Sequence, residues 1–513
     1  MKTEVVVIGG GATGAGVLRD LALRGIDAVL VEKNELTSGS SGRNHGLLHS
    51  GARYAVKDPE SARECIAENS ILKRIAAPCI EDTGGYFVSL PQDPPEYPDD
   101  LLATCGEIGI PAQEIPPGEA LRREPALSSH IRRAIRVPDA AIDPFRLIRS
   151  NVEDALKLGA RFLPHTEVTS VKSDGRVLGV AAEDRRTGEH LEIECRFLVN
   201  AAGVWAGEIA RMAGGSLPMV FSKGSLIVFN KRLVNIVINR CRLPSNGDIL
   251  VPHGPALILG TTSYPTAEIE DPAADESEVN LLFEEGEKMA PDLNTTRAIR
   301  AYAGVRPLMG ARESEEDSRT LSRDFLLFDH AAEGGTRGLF SIVGGKLTTY
   351  RLMAEKTVDA ICREMGNAKA CATAETPLPF PKDYSFHSPE SRLRQICDPT
   401  LPPDERQVYC DCELVLKEEI RREAGKMDRT TLKEIQERTR AGMGPCQGGF
   451  CSSRIAAFLA ESGKIDPADC LKTLKRFLEE RWKGTRPVLW GPQLNEEQLI
   501  QGLYAEFYNL DHL

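Results

Sequence analysis

A glycine-rich turn near the start of the chain has the residue types and spacing of a dinucleotide site. The β-branched run at 5–8 leads into Gly9-Gly10-Gly11-Ala12-Thr13-Gly14, and an apolar helical pattern follows. In such a turn the first glycine permits the bend, the second lets backbone approach a pyrophosphate, and the third lets helix and strand pack closely. Free N–H groups at the helix start attract phosphate. The turn therefore predicts a nucleotide cofactor.

An acidic residue at the end of the next apolar run supports this prediction. Glu32 follows the strand-like residues 27–31, at a place where a carboxylate can accept hydrogen bonds from an adenosine ribose. A carboxylate there disfavours the 2′-phosphate of NADP. The fingerprint itself does not distinguish FAD from NAD. Two later glycine-rich segments, 197–206 and 344–351, indicate a long cofactor bound by a discontinuous domain.

The segment 38–54 combines glycines and small hydroxyls with two histidines and two arginines. Glycines allow close approach to a ligand, hydroxyls and N–H groups bind phosphate or ring atoms, and His and Arg handle protons and anions. His45 alone is equally consistent with a solvated loop. The density of the segment favours function for His49 and Arg53.

Further cations occur later in the chain, at Arg306, Arg323 and Lys346. A phosphorylated substrate needs such groups, because guanidinium binds phosphate through two hydrogen bonds and lysine supplies a point charge. Taken singly, each arginine is better explained as a surface residue or an ion-pair partner, and only the family resemblance described below favours a role in binding.

Four cysteines near the C-terminus have the spacing of a metal-cluster site. They form Cys410-Asp411-Cys412 and a later Cys-x₄-Cys pair, Cys446 and Cys451, set among glycines. Zinc sites usually space each pair by two to four residues, so the first pair fits zinc poorly. A [2Fe–2S] cluster is the favoured interpretation, with zinc or uncoordinated thiols as alternatives.

Bulk properties restrict the class of protein. The chain has 513 residues, is 41% hydrophobic and 27% charged, and carries a net charge of -12, which argues against a nucleic-acid surface. Thirteen cysteines, mostly scattered singly, suit a reducing cytoplasm. We see no apolar run of 18 residues and no signal peptide, and so expect neither a transmembrane helix nor a cleaved leader.

The predicted fold class is α/β, with several domains. A discontinuous Rossmann-like FAD-binding domain is accompanied by an α+β substrate cap and a small helical C-terminal iron–sulfur module. The predicted limits are 1–75, 140–220 and 300–360 for the FAD domain, 76–139 and 221–299 for the cap, 362–405 for a Pro-containing linker, 406–460 for the [2Fe–2S] module, and 461–513 for a C-terminal helical region.

Over essentially its full length the chain resembles the A subunits of anaerobic glycerol-3-phosphate dehydrogenases. The matching stretches are GGGATGAG at 9–16, GRNHGLLHSGARYAV at 42–56, NRCRLPS at 239–245, GVRPL at 304–308, GGKLTTYRLMAE at 344–355, GMGPCQG at 442–448 and ERWKG at 480–484. That family belongs to the wider FAD group that includes D-amino-acid oxidase, and its C-terminal module is similar to bacterioferritin-associated ferredoxin.

The resemblance implies an activity and a setting. It implies FAD and a [2Fe–2S] cluster as cofactors, sn-glycerol 3-phosphate as donor and dihydroxyacetone phosphate as product. It also implies partner subunits B and C, with C an iron–sulfur membrane anchor, and menaquinone as acceptor. The chain would then be cytoplasmic and peripheral on the inner membrane through those partners.

The resemblance and the motifs together assign roles to residues. His49 and Arg53 are expected to be catalytic, and Arg53, Tyr54, Arg306, Arg323 and Lys346 to bind substrate. The residues expected to bind FAD are Gly9, Gly11, Ala12, Thr13, Gly14, Glu32, Lys33, Ser40, Ser41, Arg43, His45, Gly46, Leu47, Ala201, Ala202, Gly203, Trp205, Gly304, Arg306, Gly344, Gly345, Lys346, Leu347 and Thr348. Cys410, Cys412, Cys446 and Cys451 are expected to hold the cluster.

One departure concerns the base. The aerobic sibling enzymes have a histidine after Lys-Gly-Ser, whereas this chain has Leu226. His49 is therefore the first candidate base. Two alternative functions remain open at this point: an FAD-dependent oxidase or dehydrogenase of an amino or 2-hydroxy acid, and a flavin/iron–sulfur electron-transfer protein.

Overall fold

The core of the N-terminal part is a mainly parallel sheet built from β-branched runs. The structure, a computed structural model, describes residues 1–309, 324–380 and 389–510. The runs at 5–8 and 28–31 form adjacent buried strands, because each has apolar residues on both faces. In spatial order the strands are Phe325–Asp329, Leu339–Gly344, Phe197–Asn200, Val5–Ile8, Ala28–Val31 and Arg161–Leu163, and only the first of these runs antiparallel to its neighbour.

Helices cover one face of this sheet and an antiparallel sheet covers the other. The helices packed together there are Ala12–Leu23, Pro144–Lys157 and Tyr350–Met365. The covering sheet consists of Thr166–Ser173, Val177–Asp184 and His190–Glu194. A parallel sheet whose first strand turns through glycines into a covering helix defines a Rossmann-like nucleotide domain, so the predicted α/β class is confirmed.

A second, mixed sheet forms the cap. Its strands are, in spatial order, Tyr264–Pro265, Met219–Phe229, Ala256–Gly260, Ile249–His253, Val237–Arg240, Gly85–Ser89, Arg133–Val137 and Gln113–Ile115, with Ala298–Met309 paired to Met219–Phe229. The paired strands 219–229 and 298–309 extend from the cap to the nucleotide domain. Arg306, near the end of the second strand, therefore lies close to the glycine-rich turn of that domain. The predicted domain limits stay a prediction.

Helices pack beside the cap sheet and around its connections. The helix Ala206–Met212 packs instead on the nucleotide-domain strands Thr166–Ser173, Phe197–Asn200 and Leu339–Gly344. The helices beside the cap are Ala52–Ala55, Pro59–Ile75, Tyr97–Ile108, Pro117–Arg123 and Glu276–Met289. The last begins with a capping box in which Asp275 accepts from the N–H of Glu278 and Glu278 accepts from the N–H of Asp275. A small sheet of Leu47–Leu48, Ala140–Ile142 and Ile80–Glu81 links the two parts.

The C-terminal part is helical, with one short hairpin, Val408–Cys410 paired to Val415–Leu416. Its helices are Pro389–Cys397, Lys417–Gly425, Leu432–Thr439, Ser452–Glu461, Cys470–Thr485 and Gln493–Gln501. It contacts the nucleotide domain directly, since the Thr431 hydroxyl donates to Glu35 at 3.0 Å. The segment predicted as a linker also makes contacts, because Leu378 packs in the nucleotide-domain core and Arg392 bonds to Glu419 at 2.7 Å.

Single-turn elements complete the described chain. They are Ser40–Gly42, Ala77–Cys79, Gly203–Trp205, Pro291–Thr295, Leu347–Thr349, Pro467–Asp469, Arg486–Val488 and Gly502–Phe507. Within the ranges given above, the helices are all too short or too polar to cross a bilayer.

Candidate active site and cluster site

Crowding of the backbone explains why glycine occupies key positions of the first turn. A Cβ on Gly9, whose φ is +110°, would lie 2.5 Å from the carbonyl oxygen of Ala201, and one on Gly14 would collide with the carbonyl of Gly9. A Cβ on Gly11 would lie 3.0 Å from Ser41 Oγ. That hydroxyl accepts from the first N–H of the following helix at 3.0 Å. The glycines thus keep side-chain atoms away from the turn, so that a ligand can approach the backbone closely at the helix start.

Glu32 occupies the place expected of a ribose-binding carboxylate. It follows the strand Ala28–Val31, and its oxygens accept from the N–H groups of Gly10 at 2.7 Å and Asn34 at 2.8 Å. Burial raises the pKa of the Glu32 carboxyl, while these two N–H groups oppose the rise. Beside it, Lys33 Nζ lies 4.0 Å from the centre of the Trp205 ring.

A cavity of about 330 Å³ runs from this turn to the histidine-containing loop and brings the three glycine-rich segments together. The residues expected to bind FAD that line it are Gly9, Gly11, Ala12, Thr13, Glu32, Lys33, Ser40, Ser41, His45, Leu47, Ala201, Ala202, Gly203, Trp205, Arg306, Gly344, Gly345, Lys346 and Leu347. Exposed turn backbone at one end, a carboxylate beside it and small residues along the walls fit an extended dinucleotide.

Five other residues expected to bind FAD do not line this cavity within the described chain. Gly14 serves close helix–strand packing, and Thr348 is buried, with its hydroxyl accepting from a backbone N–H of the histidine loop at 3.1 Å. Gly304 gives room to Arg43, whose carbonyl oxygen would lie 2.7 Å from a Cβ at 304. Arg43 and Gly46 line a second cavity instead.

One end of the main cavity gathers protonatable and cationic groups. His45 and His49 meet edge to face with ring centres 5.8 Å apart, and His49 and Tyr54 have ring centres 5.3 Å apart. Lys346 Nζ lies 4.7 Å from the centre of the Tyr54 ring, and Arg306 lines the same end. An anionic substrate with an ionisable hydroxyl suits this end.

Arg306 is fixed in place by neighbours on the cap sheet. Its Nη1 and Nη2 atoms donate to the carbonyl oxygen of Thr262 at 3.2 Å, and Nη2 donates to Thr261 Oγ1 at 2.5 Å. In the paired strand Arg306 lies opposite Ser222, and its guanidinium extends over the diagonal neighbour Gly224, where a Cβ would be 2.6 Å from Nη1 and 2.7 Å from Cζ. The guanidinium is therefore held against a glycine by strand pairing.

His45 is kept neutral by its surroundings. Burial, followed by the positive charges of Arg306 and Arg53, lowers the pKa of His45 to about 3. Its Nδ1 accepts from the N–H of Leu47 at 3.1 Å. A neutral imidazole that accepts at Nδ1 carries its proton on Nε2, so His45 presents a donor at that atom.

Arg53 lies away from the described lining of the cavity. Its Nη2 atom pairs with the fully buried Asp248 at 3.2 Å. Asp248 also accepts from Arg242 at 2.6 Å and from the N–H of Ser245. The Nη1 atom of Arg53 is buried and has no hydrogen-bond partner within the described ranges, so it can donate a hydrogen bond to an anionic ligand. Arg323, the remaining predicted cation, lies outside the described residues.

Sequence reasoning missed part of the cavity wall. Leu226, the departure from the aerobic siblings, is buried at 2% exposure and does not belong to that wall in the described chain. The missed lining residues include Asn34, Thr166, Glu167, Val168, Glu208, Ile209, Met212, Leu308, Ile342, Val343 and Met353. Of these residues, only Asn34 could have been predicted from the sequence, because it lies two positions after the predicted ribose-binding Glu32.

The thiols expected to hold a metal cluster converge as two pairs. Cys412 Sγ donates to Cys446 Sγ at 3.6 Å, and Cys451 donates to Cys410. These bonds, strengthened by backbone N–H groups, lower the pKa of Cys446 to about 6 and that of Cys410 to about 7, while the same pairing and burial raise the pKa of their two donors. Thiolates are the metal-binding form, so the donor set fits a metal cluster.

Backbone N–H groups surround the buried thiolates. Gly442 N–H donates to Cys410 Sγ at 3.4 Å, and the N–H groups of 448–450 point to Cys446. Cys412 is exposed, whereas its three partners are buried. The second cavity, of about 250 Å³, separates this module from the histidine loop, with Met443 and Gln447 on one side and Arg43 on the other.

Two protein families match this chain, one over the part that contains the main cavity and one over the cysteine module. A profile of FAD dependent oxidoreductases matches residues 4–351, and a profile of BFD-like [2Fe-2S] binding domains matches residues 408–461. The fold and the two sites therefore define an FAD-dependent oxidoreductase with an appended [2Fe–2S] domain.

Full-length relatives specify the family. The A subunit of anaerobic glycerol-3-phosphate dehydrogenase from Escherichia coli K12 is 42% identical, with 99% of this chain and 97% of that protein covered. The A1 subunit of the Haloferax volcanii enzyme of the same name is 43% identical, with 99% and 91% covered. The chain belongs to the family of anaerobic glycerol-3-phosphate dehydrogenase A subunits, as the sequence motifs predicted.

Solved structures agree on the fold. Glycerol-3-phosphate dehydrogenase from Bacillus halodurans, complexed with FAD, matches with a TM-score of 0.69 at 20% identity, covering 96% of each chain. L-α-glycerophosphate oxidase from Mycoplasma pneumoniae, with FAD bound, matches with a TM-score of 0.59 at 18% identity, covering 75% of this chain and 98% of its own. FAD and [2Fe–2S] are confirmed as the cofactors, and the amino-acid oxidase and electron-transfer alternatives are not favoured.

Proposed function

We propose that the chain oxidises sn-glycerol 3-phosphate to dihydroxyacetone phosphate in the main cavity and passes the electrons on through its [2Fe–2S] module. The observation that carries this proposal is the gathering of Arg306 and Lys346 with His45, His49 and Tyr54 at one end of the dinucleotide cavity. This end offers cations for a phosphate and imidazoles for a hydroxyl. The names of the 40–43% identical relatives support the same substrate.

When bound, FAD supplies a two-electron acceptor for the hydride on C2 of the substrate, and the cluster a one-electron carrier. The chain binds FAD through the turn at 9–14, the carboxylate of Glu32 and the small-residue segments at 201–203 and 344–345. These segments use backbone N–H groups and the helix dipole for the pyrophosphate, and carboxylate oxygens for the ribose.

Arg306 and Lys346 are the proposed binding residues for the phosphate of the substrate. Arg306 is oriented by Thr261 and Thr262, so little side-chain entropy is lost when it binds an anion. Lys346 stands at the start of the turn Leu347–Thr349 and adds a second charge. Arg53 and Arg323 remain proposed substrate contacts. The buried Nη1 of Arg53 supports its own role.

His49 is the proposed base for the hydroxyl proton of the substrate. Its backbone is fixed on both sides, because its N–H donates to Thr348 Oγ1 at 3.1 Å and its carbonyl accepts from Asn69 at 3.2 Å. His45 stays neutral and donates from Nε2 to developing negative charge on the substrate oxygen. Burial of His49 keeps bulk water from the proton it takes.

Onward electron transfer needs partners. The relatives are named as A subunits, which supports further subunits for this chain too, and we propose subunits B and C with menaquinone as the final acceptor. The exposed Cys412 marks the side from which electrons would leave the cluster. Binding to a membrane-anchored partner would place the chain on the cytoplasmic face of the inner membrane.

Anaerobic reduction of the bound flavin tests the proposal. Addition of sn-glycerol 3-phosphate to the purified, FAD-loaded protein should bleach the flavin absorption band at low substrate concentration. Glycerol and the enantiomer sn-glycerol 1-phosphate are the matched controls, and both should bleach it far more slowly. Equal rates with glycerol, or bleaching by an amino acid instead, would contradict the assignment of the substrate.

A further inference from the structure

We propose a divalent-cation site, suited to Zn²⁺, at the junction of the flavin domain and the cluster module, formed by Glu35, His165 and Glu434. One ligand atom from each of these three residues lies within 4.8 Å of the other two. Glu35 and His165 belong to loops that follow strands of the nucleotide sheet, and Glu434 lies in the first turn of helix Leu432–Thr439. A cation there would join two parts that are far apart in sequence.

The burial of the His165 imidazole beside two carboxylates indicates that a ligand binds here. His165 is 9% exposed, and neither ring nitrogen has a hydrogen-bond partner within the described ranges. One ring nitrogen of this nearly buried imidazole lies within 4.8 Å of a carboxylate oxygen of both Glu35 and Glu434, an arrangement that a bound cation would complete. Its backbone sits at φ +52°, an uncommon conformation for a residue other than glycine, and its N–H is tied to the carbonyl of Asn34 at 3.1 Å.

Both carboxylates have oxygen atoms left for a cation. Glu434 uses one oxygen in the capping box, where it accepts from the N–H of Thr431 at 3.1 Å and from Thr430 Oγ1 at 3.0 Å. Glu35 uses one oxygen to accept from Thr431 Oγ1 at 3.0 Å. Neither forms an ion pair with Lys or Arg in the part of the chain that is described, although the buried Arg149 interacts electrostatically with Glu434 from further away. Each carboxylate therefore keeps an oxygen free of a direct cationic partner.

The donor set selects the type of cation. A nitrogen ligand disfavours Ca²⁺ and Mg²⁺, which take oxygen ligands, and favours Zn²⁺ or a similar transition cation. Around a tetrahedral zinc, with bonds of about 2.0–2.2 Å, ligand atoms lie about 3.4 Å apart. Rotamer adjustments of about 1 Å would bring the present arrangement to that spacing, with water as a fourth ligand. Such an ion would hold the cluster module at a fixed distance from the flavin.

Equilibrium dialysis with Zn²⁺ tests the site in protein that carries both FAD and the cluster. Zinc and iron are measured in the same sample, so that zinc entering the cysteine site is recognised by loss of iron. We expect one zinc per chain at full iron occupancy. His165→Asn should weaken binding at least about tenfold, and asparagine tolerates the positive φ. His190→Asn, at a histidine with 82% exposure of its side chain, is the matched control and should change nothing.

Two further measurements keep the proposal falsifiable. Glu35→Gln leaves the capping box intact and should also weaken zinc binding, which guards against a folding defect in the histidine variant. Zinc should slow hydrogen exchange in helix Leu432–Thr439 of the parent but not of His165→Asn. Absence of zinc binding, affinity in both variants equal to that of the parent, or zinc gained only as iron is lost would overturn the proposal.

Discussion

The Nδ1 atom of His45 accepts a hydrogen bond from the N–H of Leu47 at 3.1 Å, and this bond decides which imidazole can act as a base. With Nδ1 engaged and the pKa lowered to about 3, His45 holds its proton on Nε2 and can only donate there. His49 lies next to it, with ring centres 5.8 Å apart. The two adjacent histidines therefore have different proposed roles.

Replacing His49 with Gln should slow flavin reduction by glycerol 3-phosphate about 10²–10⁴-fold, the usual contribution of a general base. It should also remove the acidic limb of the pH–rate profile. The rate is measured by anaerobic stopped-flow absorbance. His45→Gln is the matched control: it keeps a donor near the substrate oxygen and should leave the shape of the profile unchanged. A profile altered only by His45→Gln would reverse the assignment.

Because the pKa of His45 is lowered, we expect the free energy of unfolding to depend on pH. In the unfolded chain histidine takes up a proton near its ordinary pKa of 6.5, whereas in the folded protein His45 does so only near 3. Between these values the unfolded state binds more protons, so stability falls as the pH drops from 6.5 towards 3. His45→Gln should flatten that decline, as followed by thermal unfolding of FAD-free protein. His190→Gln, at an exposed histidine, should leave the slope as it is.

Gly224→Ala should impair substrate binding although residue 224 carries no functional group. The new Cβ would lie 2.6 Å from Arg306 Nη1 and must displace the guanidinium. We expect KM for glycerol 3-phosphate to rise about tenfold or more, corresponding to one charge-assisted hydrogen bond of ~1.5–3 kcal/mol. Arg306→Ala should do the same, and the double variant should be no worse than Arg306→Ala, because both changes remove one contact.

Gly207, in the helix Ala206–Met212, provides the comparison for Gly224→Ala. Gly207→Ala would place a Cβ 3.5 Å from Met219 Sδ, an ordinary contact, and should leave KM unchanged. Steady-state kinetics with glycerol 3-phosphate and with glycerol separates the cases, since only the phosphorylated substrate should lose affinity. Additive effects of Gly224→Ala and Arg306→Ala would show that residue 224 acts elsewhere.

Much of the cofactor site was predictable from sequence because its determinants are local. The turn at 9–14 needs glycine for steric reasons visible in the motif, and Glu32 follows a short apolar run that is typical of a buried strand. The four cysteines are likewise identified by spacing and by the glycines around Cys446. In each case neighbouring residues in sequence carry the physical requirement.

Other features depend on contacts between distant residues and could not be read from the motifs. Arg53 pairs with Asp248, which lies in another domain segment, and is thereby turned from the cavity lining. Thr166 and Val168 reach the cavity only because their strand follows the edge of the nucleotide sheet. Tertiary packing decides such positions, and a single sequence does not encode them in a recognisable pattern.

Glu32→Ala should weaken retention of FAD. The ribose would lose a carboxylate acceptor worth ~1.5–3 kcal/mol per charge-assisted hydrogen bond, and the N–H groups of Gly10 and Asn34 would lose their partner as well. Flavin fluorescence on dilution measures the release of FAD. Glu192→Ala, at a carboxylate with 66% exposure, is the control and should retain the cofactor. Full occupancy in Glu32→Ala at dilute protein would count against the assigned role.

Cys446→Ser should remove the cluster but leave FAD binding and substrate-driven bleaching of the flavin intact. Cys446 is a thiolate near neutral pH, since its pKa is lowered to about 6, and serine cannot replace that ligand. Cys410 and Cys451 pack in a core separate from that of the flavin domain, so flavin chemistry should not need the iron. Reoxidation of the reduced flavin by a one-electron acceptor should slow, because the intermediate carrier is gone.

Metal analysis and a second cysteine variant make the Cys446→Ser experiment decisive. The parent protein should contain two iron and two sulfide per chain, as one [2Fe–2S] cluster requires. Cys397→Ser, at an exposed free thiol, should keep both. Zinc without sulfide in the parent would refute the cluster. Loss of flavin bleaching in a folded Cys446→Ser protein would mean that the module shapes the flavin cavity directly, through the wall that its residues Met443 and Gln447 share with the histidine loop.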